Sequence, residues 1–147
     1  MSAQTIKPLV TAVAVSTGGR NGHSETEDKS VSVNLSVRKE MGGPGLPNTT
    51  TPEHLFAAGY AACFGGALDF VASQKKLDTK GAVVTCSTSV GPREGGGFGI
   101  AVKMHVKVPN LSTDQAKALA QETHDKICPY SHATRGNIDF MLEAEGQ

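Results

Sequence analysis

The stretch from Thr51 to Lys76 limits the fold more than any other, because it starts as a helix should and then turns apolar on every face. Thr51 suits the N-cap, Pro52 the first helical position, and Glu53 sets negative charge against the positive end of the helix dipole. Between Leu55 and Leu68 no residue is charged, and Ala, Gly, Phe, Leu, Tyr and Cys occupy all sides rather than one stripe. The expectation is a core helix covered all round. A membrane span is disfavoured, because the uncharged run of about 14 residues between Glu53 and Asp69 is short of the roughly 20 that a bilayer requires. Cys63 stands in the middle of the run.

The flanking sequence supplies strands to cover such a helix. Val10 to Val15 and Val31 to Val37 alternate apolar and polar residues and read as a hairpin, joined by a long segment in which Gly18, Gly19 and Gly22 surround Arg20. Ala82 to Val90 and Ile100 to Val108 read as a second hairpin across PREGGGFG. Ser112 or Thr113 caps a second, amphipathic helix that carries Ala116, Leu119, Ala120, Thr123 and Ile127 on one side. Pro129 disfavours helical geometry at Cys128 and suits the start of a short helix that ends by Gly136, before a last strand from Asn137 to Leu142. Helices set apart from antiparallel hairpins make the class α+β, and 147 residues suit a single domain over residues 1–147.

Composition narrows the partners. Lys plus Arg and Asp plus Glu are 14 each, with no basic run and few aromatics, so neither nucleic acid nor an anionic membrane is an expected partner. The opening residues MSAQTIKPLV lack the apolar stretch of a signal peptide, and three cysteines make an odd number for a secreted disulfide scaffold. The expected location is cytoplasmic, where a disulfide among Cys63, Cys86 and Cys128 would be chemical rather than structural.

Taken singly, these residues say little. Cys63 on an apolar helix reads as a small core hydrophobe, Cys86 shares a strand face with Val84 and Val90, and Arg20 reads as a surface charge. Cys128 is more suggestive, since a sulfur at a helix start can meet unpaired backbone N–H groups that favour a thiolate. The five histidines show no HxH or HExxH spacing and no CxxC accompanies them, so no metal site is expected; no GK[ST] follows the glycines around Arg20, which argues against a phosphate loop.

Three segments in order, STGGRNG, TPEHLFAAGYAACFGGAL and ICPYSHATRGNID, resemble the organic hydroperoxide resistance (Ohr) branch of the Ohr/OsmC family over nearly the whole chain. CPYS followed by ATRGNI is the most specific of these motifs and distinguishes the branch from OsmC itself. The resemblance implies an OsmC-like fold with hairpin sheets around long central helices, an intertwined homodimer, and reduction of organic hydroperoxides by thiol chemistry. It further implies Cys63 as peroxidatic cysteine, Cys128 as resolving cysteine, and Arg20 with Glu53 as their catalytic partners; Cys86 matches no motif. No bound cofactor is implied, only an external dithiol such as a lipoylated protein.

The chemistry explains why each group is wanted. A thiolate is the nucleophile, burial opposes its formation, and the fixed charge of Arg20, gripped by Glu53, would oppose burial and stabilise the departing alkoxide. Leu55, Phe56, Phe64 and Met41 are the expected apolar lining for an alkyl or fatty-acid hydroperoxide. On one straight helix Glu53 and Cys63 stand about 15 Å apart, too far for one Arg20 to serve both within a chain. Antiparallel packing of two such helices through Gly59, Ala62, Gly65 and Gly66 would build two shared sites. The alternatives are a general OsmC-type peroxidase, a cysteine hydrolase with His54 or His124 as base, and a non-catalytic dimeric binding module.

Overall fold

The alternating segments become two three-stranded sheets in the computed structural model of the protein, which describes residues 3–147. The chain falls into two compact units, one ending at Pro52 and the other Glu53–Gln147.

In the first unit, β1 (Ala14–Thr17), β2 (His23–Thr26) and β3 (Ser32–Asn34) form an antiparallel sheet in the order β1-β2-β3. The expected hairpin between the two valine-rich segments is therefore corrected, because a third strand lies between them and pairs with both. Its sequence, HSET, has no apolar period to announce it; polar partners hold its side chains instead. His23 Nδ1 lies 2.7 Å from Asn34 Oδ1, and Glu25 forms an ion pair with Lys29. Between β1 and β2 the chain makes a single 3-10 turn, Gly19–Asn21. Gly18 and Gly19 adopt φ of 80° and 57°, and a Cβ on Gly22 would collide with the carbonyl oxygen of Thr17. The glycines are thus required for the bend that presents Arg20, and the Asn21 side chain braces it by accepting from the Val37 N–H at 2.9 Å.

The second unit is built on α1 (Pro52–Lys75), 24 residues long and about 36 Å from end to end. Pro52 occupies the first helical position and Glu53 the first turn, as expected. Lys76, at φ 57°, ends the helix: its N–H reaches the Ser73 carbonyl at 3.3 Å, and the Leu77 N–H reaches that of Ala72 at 2.9 Å. By length and composition α1 is long enough to cross a membrane, longer than its uncharged stretch suggests, yet one side is packed in protein. Tyr60, Phe64, Ala67, Leu68, Val71 and Ala72 are buried there. The opposite line, Ala58, Ala62, Gly66 and Phe70, is exposed, so the second unit by itself does not cover α1 all round. Three of those four side chains are Ala or Gly, which limits the apolar surface left in water.

β4 (Val83–Pro92) and β5 (Phe98–Lys107) form the expected hairpin, and β6 (Asp139–Glu145) adds to β5 in parallel, giving the order β4-β5-β6. The sheet is mixed rather than wholly antiparallel because α2 (Thr113–Glu122) and α3 (Pro129–Thr134) carry the chain back before β6 begins. Val102, Met104 and Val106 of central β5 are at most 3% exposed and share a core with α1 and α2. Cutting Phe64 of that core to Ala would cost about 3–5 kcal/mol. Ser112 caps α2: its hydroxyl accepts from the Gln115 N–H at 3.2 Å, and the Gln115 side chain accepts from the Ser112 N–H at 3.0 Å.

Candidate active site

Two sulfurs 65 residues apart in sequence meet where α1 faces the start of α3. Phe56, Gly59, Tyr60 and Cys63 recur at helical spacing on one face of α1, and that face receives Tyr130. On the other side α2 runs into a π-helical turn, Thr123–Ile127, in which the Cys128 N–H reaches back five residues to the Thr123 carbonyl at 3.0 Å. Pro129 then forces Cys128 out of helical geometry, to φ −65° and ψ 119°, and opens α3. Cys128 is the N-cap, with its S–H directed at Cys63 Sγ across 3.7 Å. Cys63 is half-buried and Cys128 fully buried, and both are free thiols.

The electrostatics of this pair pull in two directions. Burial pushes the Cys63 thiol above the ordinary cysteine value and the neighbouring Cys128 adds to it, while a hydrogen bond from the Tyr130 N–H works the opposite way. The N–H of the second residue of α3 thus favours the thiolate of Cys63, the sulfur across from the helix start. Tyr130 also stands over Phe56 in a pocket of about 250 Å³ lined by Phe56, Tyr130, Ala133 and Thr134. Of the four residues expected to line a pocket, Phe56 does so here. Phe64 is corrected to a core residue at 0% exposure, and Met41 belongs to the first unit.

Beneath the sulfurs lies a polar cluster that the sequence reading missed. Tyr60 Oη is 2.8 Å from Ser131 Oγ and 3.0 Å from Thr134 Oγ1; His124 Nδ1 is 2.8 Å from Ser131 Oγ. The His124 ring stacks on Phe140 with centroids 4.1 Å apart, and burial holds its pKa below the ordinary histidine value. His124 is thus engaged with Ser131, which removes support for its use as a hydrolase base. Burial likewise raises the Tyr60 phenol. His132 Nδ1 lies 3.0 Å from the Cys128 carbonyl, an acceptor only, so that nitrogen carries the proton. The spacing was a usable signal: Tyr60 precedes Cys63 by one turn, and Ser131 follows Cys128 by one turn.

Glu53 lies in the first turn of α1, ten residues before Cys63, and Arg20 in the glycine-framed turn of the first unit. Cys86, half-buried on the inner face of β4, has its thiol raised by burial and lies 3.7 Å from Thr88 Oγ1. An S–S bond needs about 2.05 Å, so a bond between Cys63 and Cys128 would require an approach of about 1.7 Å from the 3.7 Å observed.

Residues 43–143 match the family described as OsmC-like protein. The chain is 47% identical to the organic hydroperoxide resistance protein of Xanthomonas axonopodis pv. citri, over 92% of this chain and 94% of that protein. It is 39% identical to the organic hydroperoxide resistance protein OhrB of Bacillus subtilis, over 92% and 97%. The crystal structure of an organic hydroperoxide resistance protein from Elizabethkingia anophelis superposes with a TM-score of 0.89 at 39% identity, covering 97% of this chain and all of that one.

Proposed function

From a chain that belongs to the OsmC-like family, in its organic hydroperoxide resistance branch, we propose a thiol peroxidase that reduces organic hydroperoxides to alcohols. The observation that carries this reading is the juxtaposition of Cys63 and Cys128 at 3.7 Å, both reduced, beside an aromatic pocket.

In the proposed sequence the Cys63 thiolate attacks the outer oxygen of ROOH, the O–O bond breaks, and RO⁻ takes a proton and leaves as the alcohol. Cys63 becomes a sulfenic acid. The Cys128 sulfur then attacks the Cys63 sulfur, the S–O bond breaks, and hydroxide leaves with the Cys128 proton as water. The disulfide is reopened by an external dithiol, a lipoylated protein by resemblance, which is itself oxidised. Arg20 is proposed to offset the rise that burial imposes on Cys63 and to stabilise RO⁻, and Glu53 to hold the guanidinium in a two-pronged contact. The aromatic wall of Phe56 and Tyr130 suits an alkyl chain, which favours organic hydroperoxides over hydrogen peroxide. A reducing cytoplasm is the fitting location, and it keeps three free thiols reduced between turnovers.

A homodimer belongs to the same proposal, with a correction to its expected seam. Gly59 faces Tyr130 and Gly65 faces Val84 within the chain, so the line left for a second copy is Ala58, Ala62, Gly66 and Phe70. The test of function is steady-state turnover with dihydrolipoamide as reductant. An alkyl hydroperoxide should be consumed at a kcat/KM at least about tenfold above hydrogen peroxide; equal rates, or no turnover, would remove the proposed specificity or the activity itself.

A further inference from the structure

The helix that delivers Cys128 has six residues, too few to be stable on its own packing propensity, so something else must fix where its sulfur sits. The contacts show a second rung beside the sulfur rung. On α1, Tyr60 stands one turn before Cys63; on α3, Ser131 stands one turn after Cys128. The pair Cys63–Cys128 spans 3.7 Å, and the pair Tyr60–Ser131 spans 2.8 Å, between the same two helices. We propose that Tyr60 and Ser131 are positioning residues that set the register of α3 on α1 and thereby the rate at which Cys128 closes on oxidised Cys63.

Both side chains are 0% exposed, so neither hydroxyl can exchange its partner for bulk water. Ser131 is also held from the other side by His124 Nδ1 at 2.8 Å, and His124 is fixed by its stack on Phe140 and by Arg135, whose Nη1 donates to the His124 carbonyl at 2.9 Å. Thr134, on the next turn of α3, gives Tyr60 Oη a second partner at 3.0 Å. The Cys128 main chain is clamped at both ends, through its N–H to Thr123 and through its carbonyl to the His132 N–H and Nδ1, each at 3.0 Å. With its backbone clamped, Cys128 reaches Cys63 by side-chain rotation, and the Tyr60–Ser131 rung keeps α3 from drifting out of the register that this rotation needs. Closure forms the S–S bond, breaks the S–O bond of the sulfenic acid and releases water. A sulfenic acid left waiting is open to a second equivalent of hydroperoxide, which converts it to sulfinic acid and yields a second alcohol.

The inference rests on Cys128 as the resolving thiol, so its test includes a measurement that uses no peroxide. Tyr60→Phe removes one oxygen and keeps the ring; Ser131→Ala removes the bridging hydroxyl. Rapid mixing with an alkyl hydroperoxide should show the closing step slowed by at least about tenfold, and by a larger factor than the first oxidation. Mass spectrometry in excess hydroperoxide should show sulfinic acid in both variants at a dose that leaves the parent as disulfide. In equilibrium with reduced and oxidised dithiothreitol, both variants should hold the Cys63–Cys128 disulfide less tightly than the parent. Closure at the parent's rate, or slowing of both steps by one common factor, overturns the positioning role even if the protein is a peroxidase. An unchanged dithiothreitol equilibrium overturns it independently of any peroxidase activity.

Discussion

In the proposed reaction Cys63 has to ionise near neutral pH, while its burial and the adjacent Cys128 both favour the neutral thiol. The Tyr130 N–H opposes them as a single neutral hydrogen bond, which is why the proposal gives Arg20 the larger share. Arg20→Ala should therefore move the alkylation midpoint of Cys63 to higher pH and slow the peroxide step at least about a hundredfold, and Arg20→Lys should recover little of it. The pH dependence of iodoacetamide labelling measures this; a midpoint unmoved by Arg20→Ala would leave the thiolate without its proposed stabiliser. Division of labour between the thiols gives a second expectation. Cys63→Ser should abolish turnover, Cys128→Ser should consume about one equivalent of hydroperoxide per site and stop at sulfenic acid, and Cys86→Ser should keep its activity with a stability loss of about 1 kcal/mol. Peroxide consumption and protein mass report all three, and a Cys128→Ser protein unable to make the first attack would reverse the assignment.

At the scale of elements, the readable parts were those where one residue type forces the backbone. Pro129 marked the break at Cys128, Ser112 marked the α2 start, and the alternation from Val84 to Val106 marked the β4–β5 hairpin. β2 was not readable because its pairing is carried by backbone groups and polar side chains, and the parallel pairing of β6 depends on the return path of the chain rather than on its own sequence. The π-helical turn has no composition of its own, yet it aims Cys128 and brings His124 onto Ser131. That turn also has a pH signature. Because burial chiefly, with Arg135 and His132 adding and Asp125 opposing, keeps the folded-state pKa of His124 low, the unfolded chain binds a proton below about pH 6.5 that the folded chain refuses. Stability should fall as pH drops from about 6.5 towards the folded-state value, by at most about 1.4 kcal/mol per pH unit for this one proton. Denaturant midpoints between pH 7.5 and 5 should show that decline, and His124→Gln should flatten it; an equal slope in the variant would assign the acid limb to other groups.

For the whole molecule, the half-covered α1 and the ten-residue separation of Glu53 from Cys63 support the same assembly. The proposed dimer covers Ala58, Ala62, Gly66 and Phe70 with a second copy and brings Glu53 of one chain towards Cys63 of the other. A refolded mixture of Cys63→Ser and Glu53→Ala chains should then recover activity that neither parent has, because each mixed dimer contains one intact site. Inactive mixed dimers, with subunit exchange verified, would mean that each site is built within one chain. If one organic hydroperoxide molecule drives Cys63 and Cys128 into a single bond, the mass of the protein reports it directly. The reduced protein is treated with one equivalent of an alkyl hydroperoxide, weighed intact, and digested without reductant. The expected result is a loss of two hydrogens and a peptide joining Cys63 to Cys128; an unchanged mass, an oxygen retained on Cys63 beside a free Cys128, or a bond to Cys86 would overturn the proposed chemistry.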